Sequence, residues 1–181
     1  MTTTKTHSRF LFCIFLLISA CTGTPSGVIP VTGFSLDQYL GQWYEIARLD
    51  HSFERGMQSV TARYSLRDDG GLTVLNRGYD SQSQKWTQAE GRAYFVGDSS
   101  RGHLKVSFFG PFYGSYVIFE LDKDNYQYAF VSGMNTNYLW LLSRTPTVSD
   151  DLLNRFIQRA SELGFDTDQL IVVEQLGQSD N

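Results

Sequence analysis

The residues that could do catalytic or metal chemistry in this sequence are few and scattered. His51 and His103 are not spaced as metal ligands. Paired carboxylates occur at Asp68-Asp69, Asp122-Lys123-Asp124 and Asp150-Asp151, all at predicted turns or a helix start. Carboxylates at such places usually cap backbone N–H groups or face water. There is no Gly-x-Ser-x-Gly elbow and no glycine-rich loop before a helix. We therefore expect no catalytic residues, no metal site and no cofactor.

Cys21 is the one residue whose surroundings indicate a specific modification. Lys5 and Arg9 precede an apolar run over residues 10–18, which is the layout of a secretory signal and too short to span a bilayer. The segment Ile18-Ser19-Ala20-Cys21 resembles a bacterial lipobox. In such signals the chain is cleaved before the cysteine, which becomes acylated. The alternative, an ordinary thiol beside an ordinary cleavage site, stays open.

This interpretation divides the chain into four parts. We expect a lipoprotein signal peptide over 1–20, a lipidated flexible tether over 21–32, one folded domain over 33–176 and a tail over 177–181. Acyl chains on Cys21 would hold the protein on a membrane. Residue 22 is threonine rather than aspartate, which by bacterial sorting rules favours the outer membrane of a Gram-negative cell, on the periplasmic face.

Composition excludes some partners and favours a fold class. The formal net charge is −4, and no basic cluster follows the first ten residues, so nucleic acid is not an expected partner. Aromatic residues make up 14% of the chain, and glycine outnumbers proline by 16 to 4. This composition favours many short strands joined by turns.

Alternation with period two predicts eight strands in series. They cover 43–49, 59–66, 72–79, 85–95, 103–109, 116–121, 126–132 and 138–144. Eight sequential antiparallel strands favour closure into a barrel, because an open sheet would leave two edges exposed. A helix follows, capped by Ser149 and ended by Gly164, with one apolar face to lie against the barrel wall. The predicted fold is all-β: an up-and-down eight-stranded antiparallel barrel with one C-terminal α-helix, and residues 171–173 as a last short strand.

Three sequence blocks make the fold more specific. They are Gly41-Gln42-Trp43-Tyr44, Thr136-Asn137-Tyr138 and Arg144, in that order along the chain. With the segments Phe53-Glu54-Arg55-Gly56 and Phe109-Gly110-Pro111-Phe112-Tyr113-Gly114, this pattern resembles the lipocalin family, and in particular lipid-anchored bacterial lipocalins similar to apolipoprotein D. The resemblance implies that Trp43 packs under Arg144 and plugs the closed end of the barrel, as structural residues.

Strand alternation predicts which side chains line the barrel interior. With Trp43 and Arg144 inward, the predicted ligand-binding positions are Ala47, Leu49, Val60, Ala62, Tyr64, Val74, Asn76, Ala89, Gly91, Ala93, Val106, Phe108, Tyr138 and Trp140. Several are small, which indicates an apolar cavity suited to a hydrocarbon chain. The alternative is that the aromatic members simply fill a solid core.

Two loops are expected at the open mouth. The loop over 50–58 offers Phe53 and Met57 as an apolar lid, with His51 and Arg55 to meet a charged head group. Phe112 and Tyr113 project from a second, glycine-rich turn. Exposed aromatic residues there suit a membrane surface, a partner, or packing on neighbouring loops.

The leading hypothesis is a membrane-anchored, non-catalytic protein that binds, stores or transports a fatty acid or lysophospholipid in its barrel. One alternative is an envelope scaffold or stress-response module whose barrel is closed by Tyr64, Phe108 and Trp140. A less favoured alternative is a lipid-modifying enzyme with Glu45, Tyr138 or His103 poised inside the barrel. A homodimer is an open alternative for assembly.

Overall fold

The computed structural model describes residues 22–175. The predicted signal segment 1–20, Cys21 and the predicted tail 177–181 lie outside the described residues. Nine strands and two α-helices form in this part of the chain. The strands are β1 (Gly41–Leu49), β2 (Met57–Leu66), β3 (Leu72–Asp80), β4 (Lys85–Phe95), β5 (His103–Ser107), β6 (Gly114–Leu121), β7 (Tyr128–Ser132), β8 (Leu139–Ser143) and β9 (Leu170–Val172). The helices are α1 (Leu36–Tyr39) and α2 (Asp150–Glu162), and a single 3₁₀ turn covers Thr167–Gln169.

The first eight strands close into an antiparallel barrel, which confirms the predicted fold. Each strand pairs with the next along the chain, β8 pairs with β1, and β1 pairs with β2 from Gly41 opposite Tyr64 to Tyr44 opposite Thr61. Because the strands alternate in direction, the β1–β2, β3–β4, β5–β6 and β7–β8 loops all lie at one end. The intervening turns and α1 lie at the other.

That second end is plugged by aromatic packing. The guanidinium of Arg144 lies 3.9 Å from the ring centre of the fully buried Trp43 and donates hydrogen bonds to three backbone carbonyls, those of Gln38, Gln42 and Tyr126. Gly41 has a φ of 93°, a conformation that favours glycine, and a β-carbon there would sit 3.4 Å from Arg144. The glycine before the tryptophan thus leaves room for this stack.

Helix α2 packs on the outside of the barrel, as its apolar face predicts. Ser149 caps it by accepting a hydrogen bond from the Leu152 amide. Phe156 is buried with its ring centre 5.0 Å from that of Phe130 on β7. The barrel wall beneath the helix is therefore apolar on both faces. Within residues 22–175, no helix has the length and apolar character needed to cross a membrane.

A bulge in β1 changes which side chains face inward. Glu45 pairs with Leu142 but Ala47, not Ile46, pairs with the next residue of β8. The extra residue reverses the alternation, so the second half of β1 turns Arg48 inward. Ala47 and Leu49, predicted to line the interior, instead pack outside with the residues beneath α2. That part of the lumen prediction is wrong.

The segment before the barrel was expected to be a flexible tether, but from residue 22 it follows the wall. Val28 is buried, the Val31 amide donates to the Ile118 carbonyl on β6, and Thr32 bridges to Arg101. The Gly23 carbonyl accepts a hydrogen bond from Ser115 Oγ. This segment lies against β6 because β5 and β6 leave backbone groups free beyond their own pairing.

Candidate functional site

The main cavity of the described structure occupies the upper part of the barrel and opens at the end opposite Trp43. Its volume is about 560 Å³. Apolar and aromatic side chains from β2, β3, β5, β6 and β8 form most of its surface. Of the predicted lumen residues, it is lined by Val60, Ala62, Tyr64, Val74, Asn76, Ala89, Val106, Phe108, Tyr138 and Trp140. The barrel is thus neither solid nor closed by Tyr64, Phe108 and Trp140, as the scaffold alternative required.

Two further predicted lumen residues are inside the barrel wall but do not line the cavity. A β-carbon at Gly91 would lie 2.8 Å from the Ser107 carbonyl oxygen, so this glycine allows close strand contact rather than leaving free volume. Ala93 is buried in the lower core, toward the closed end. Small residues in a barrel strand therefore serve packing as well as cavity volume.

The cavity floor is a set of linked tyrosines. The Tyr116 hydroxyl shares hydrogen bonds with the hydroxyls of Tyr39, at 2.6 Å, and Tyr64, at 2.8 Å. Burial raises the pKa of all three, and the neighbouring hydroxyls add to the effect on Tyr116. The floor is therefore neutral near pH 7, and its hydroxyls mainly satisfy one another. A ligand reaching it meets ring faces.

Of the buried side-chain polar atoms that have no hydrogen-bond partner within the described structure, two are relevant to the cavity. They are Asn76 Oδ1 and Ser107 Oγ, and both residues line the cavity. A buried acceptor or hydroxyl without a partner is unfavourable unless water or a ligand supplies one. The wall therefore offers hydrogen bonds to a ligand with a polar group.

One side of the cavity contains a buried charged cluster that alternation did not predict. Arg48 Nη1 lies 2.7 Å from Glu45 Oε1, and its Nη2 donates to the carbonyls of Glu54 and Met57. Burial, then the Glu54 charge, raises the pKa of Glu45, with Arg48 opposing. The spacing of Glu45 and Arg48, three residues apart in a strand, was a signal that the strand contains a bulge. Through its hydrogen bonds to these carbonyls, Arg48 links the 50–56 loop to the barrel wall.

His51 also holds the 50–56 loop in place. Its Nε2 lies 3.1 Å from Glu54 Oε2, and its ring stacks on Phe53 at 4.0 Å and lies 5.2 Å from Trp140. Trp140 Nε1 also donates to Glu54. Burial acts to raise the pKa of Glu54, but the hydrogen bond and charge of His51, with the Trp140 bond, outweigh it and lower the pKa. Glu54 is therefore ionised at the cavity wall.

The mouth predictions divide into two groups. Phe53, Met57 and Phe112 line the cavity, at its open end. His51 is buried, Arg55 is exposed and pairs with Asp50, and Tyr113 packs beside Tyr94 and Lys105. None of those three is a cavity residue in the described structure, so the expectation that His51 and Arg55 face a ligand is not supported. The loop fold, which sequence spacing does not encode, sets these directions.

Sequence reasoning missed several lining residues. They include Glu54, Thr87, Gln88, Phe109, Tyr116 and Met134. Glu45 and Leu142, which alternation from Trp43 and Arg144 places inward, also line the cavity. Phe109 and Met134 could have been found as apolar residues in open-end loops. His103, a candidate for the enzyme alternative, lies away from the cavity and hydrogen-bonds the Thr22 backbone. Among residues 22–175 no cluster of three or more His, Cys, Asp or Glu side chains forms a metal site.

Residues 34–175 match the family model described as a lipocalin-like domain. The chain is 61% identical over 166 residues to "Outer membrane lipoprotein Blc" of Vibrio cholerae, covering 92% of this chain and 97% of that one. It is 52% identical over 164 residues to the protein of the same name from Escherichia coli strain K12, with 90% and 92% covered.

The barrel itself is similar to solved structures. Insecticyanin from the tobacco hornworm Manduca sexta superposes with a TM-score of 0.67 over 86% of this chain and 88% of that one, at 20% identity. This likeness concerns the fold. The bacterial relatives confirm the expected outer-membrane location, and with the family match they identify a binding protein rather than an enzyme.

Proposed function

Because this chain belongs to the lipocalin family, and its barrel is a ligand-binding one, we propose that the ligand is a single-chain lipid, a fatty acid or a lysophospholipid. The observation that carries the proposal is the open, mainly apolar cavity of about 560 Å³. This volume lies within the range of about 300–1,000 Å³ found for small-molecule sites. Because most of the cavity surface is apolar, a tail-first orientation buries the hydrocarbon chain of the lipid.

The lining chemistry favours a chain with one polar end. Tyr64 and Tyr116 line the floor, and Ala62 and Val74 add small apolar side chains to the wall. Burying a dozen methylenes is favourable by about 10 kcal/mol before the costs of binding. Asn76 and Ser107 line the wall and offer neutral polar contacts to the polar end of such a lipid.

We further propose that Cys21 carries acyl chains and that residues 1–20 are removed as a signal peptide. The motif Ile18-Ser19-Ala20-Cys21 and the outer-membrane location support this. Acyl chains contribute about 0.8 kcal/mol per buried methylene, so more than one chain gives lasting attachment. The protein would then hold lipid in the cell envelope, beside the membrane that supplies it.

Titration of the purified protein with a fluorescent fatty acid tests the ligand class. We expect saturable binding that unlabelled fatty acid or lysophospholipid displaces, and a co-purifying lipid in the mass spectrum of the native protein. Absence of any competable signal with both lipid classes would reject the proposal. A matched pair of variants for this assay is described in the Discussion.

A further inference from the structure

The start of the described chain is fixed to the outside of the barrel wall at β5 and β6. Gly23 accepts a hydrogen bond of 2.7 Å from Ser115 Oγ, and Thr22 contacts His103 through its backbone. Ser115 is the second residue of β6, whose first residue, Gly114, lines the cavity. From there the segment runs down the wall to Val31, which bonds Ile118. Ser115 lies near the mouth, whereas His103 is the first residue of β5, which starts at the closed end, so the segment begins partway along the β5–β6 wall.

Chain geometry limits where an anchor can be. Cys21 precedes Gly23 by two residues, which span at most about 7 Å when fully extended. Phe112 precedes Ser115 by three residues, in the β5–β6 loop. Acyl chains on Cys21 would therefore leave the protein on the β5–β6 side of the barrel, within reach of that loop. This step depends on the acylation advanced under the proposed function.

The open end also carries an apolar rim, which we define as Phe53, Trp86, Phe109, Phe112 and Met134. Its members come from all four open-end hairpins. Phe109 is 81% exposed and Phe112 75% exposed, unusually high for phenylalanine. The β5–β6 loop over 108–113 contains no charged residue. The rim is thus a broad apolar surface around the cavity entrance.

The closed end has the opposite character. Its turns are acidic on balance, and Leu66 is the exposed large apolar side chain beside them in the described structure. These turns carry Asp68, Asp69, Asp98, Asp122 and Asp124 against Arg67, Arg101 and Lys123. Carboxylates are repelled by anionic membrane surfaces, whereas aromatic rings are favoured at the bilayer interface. The two ends of the barrel therefore differ in the way that a surface-bound protein requires.

We propose that the protein sits on the membrane with its cavity mouth against the bilayer, the β5–β6 loop inserted in the interface. The apolar rim places the bilayer at the open end, and an anchor on the β5–β6 side of the barrel is compatible with this orientation. A second copy of the chain is less favoured as the partner that covers the rim, because an acyl anchor already keeps the protein at a lipid surface. In this orientation a single-chain lipid passes between bilayer and cavity without crossing water.

Site-specific labelling of the full acylated protein tests the orientation. The only natural cysteines are Cys13, within the proposed signal, and Cys21, so Phe112→Cys and Asp124→Cys each introduce one free thiol into the mature domain. Each variant is labelled with a fluorescent dye and reconstituted in phosphatidylethanolamine–phosphatidylglycerol vesicles with brominated acyl chains. We expect the dye at position 112 to be quenched several-fold more than the dye at position 124.

A second pair of variants tests the rim itself. Phe109→Asp should reduce the quenching at position 112, whereas Leu66→Asp, an equally apolar but closed-end exposed position, should leave it unchanged. Equal quenching at positions 112 and 124, or stronger quenching at 124, would overturn the orientation. Shielding of position 112 that grows with protein concentration in the absence of vesicles would assign the rim to a second copy instead.

Two controls separate this inference from the proposed function. The intact mass of the purified protein reports acylation, and a mass without acyl chains overturns both the anchor and the orientation. An acylated protein whose position 112 stays in water overturns the orientation alone. An acylated and correctly oriented protein that binds neither fatty acid nor lysophospholipid rejects only the carrier proposal.

Discussion

Filling the cavity from β4 gives the most direct test of where a ligand binds. Ala89 lies opposite Asn76, lines the cavity, and is exposed at its upper wall. The neighbouring Glu90 is exposed too, but it pairs with Leu75 and faces outward. Ala89→Trp therefore fills the cavity, and Glu90→Trp is its matched control. Neither change disturbs a buried side chain, so both variants should fold.

The size of the effect follows from the lost volume. An indole of about nine ring atoms takes the room of roughly four methylenes of a bound chain, and each methylene contributes about 0.8 kcal/mol. The expected loss is about 3 kcal/mol, which corresponds to a Kd raised on the order of 100-fold. Glu90→Trp should change the Kd by less than about threefold, because it removes no cavity volume.

Displacement of a fluorescent fatty acid measures both Kd values, with far-UV circular dichroism as the folding control. If folded Ala89→Trp binds as tightly as the unsubstituted protein, the ligand does not occupy this cavity. Equal weakening by Glu90→Trp would show that bulk on β4, rather than lost volume, changes affinity. Either result would refute the inference from cavity to ligand.

Three further predictions concern stability. Arg48→Met should lower the free energy of urea unfolding by about 3–5 kcal/mol, because it leaves the Glu45 carboxyl buried without its partner, and adding Glu45→Leu should recover much of the loss. Arg144→Met should cost about 2 kcal/mol in the same assay through lost stacking on Trp43 and lost carbonyl bonds, and Arg144→Lys should restore little of it because lysine lacks the planar fork. Burial raises the pKa of Tyr116, so its contribution to folding stability is complete below the unfolded tyrosine pKa of about 10 and falls as the pH rises above that value. Tyr116→Phe should therefore flatten the decline in Tm between about pH 9 and 11. An unchanged slope would contradict the assignment.

Much of this architecture could be predicted from the chain alone. The eight strands, the turn glycines and the capped helix after Ser149 follow from local patterns, because alternation and capping depend on near neighbours. The second and third strands behaved as predicted, so Ala62, Tyr64 and Val74 line the cavity. The β2–β3 pairing is regular from Thr61 to Leu66, after an irregularity between Gln58 and Thr61, and it keeps the predicted alternation of inward and outward side chains.

The predicted side-chain directions were wrong where contacts with residues distant in sequence interrupt the regular alternation of a strand or set the fold of a loop. In β1 the bulge after Glu45 turned Arg48 inward and placed Ala47 under α2. The wall beneath that helix is buried on both faces, so apolar residues there carry no information about which face is the lumen. His51 similarly lies under Phe53 rather than in the cavity.

The sequence by itself determined the class of molecule: an alternating chain of eight strands with a lipobox-like cysteine and no catalytic cluster. Tertiary structure alone decided how the two membrane-related features are arranged. The segment after Cys21 docks on β6, and the loops carrying Phe53, Phe112 and Met134 meet at the open end of the barrel. The physical reason for this arrangement is that barrel closure brings together loops that are far apart in sequence. No local sequence pattern encodes which end of the barrel those loops share.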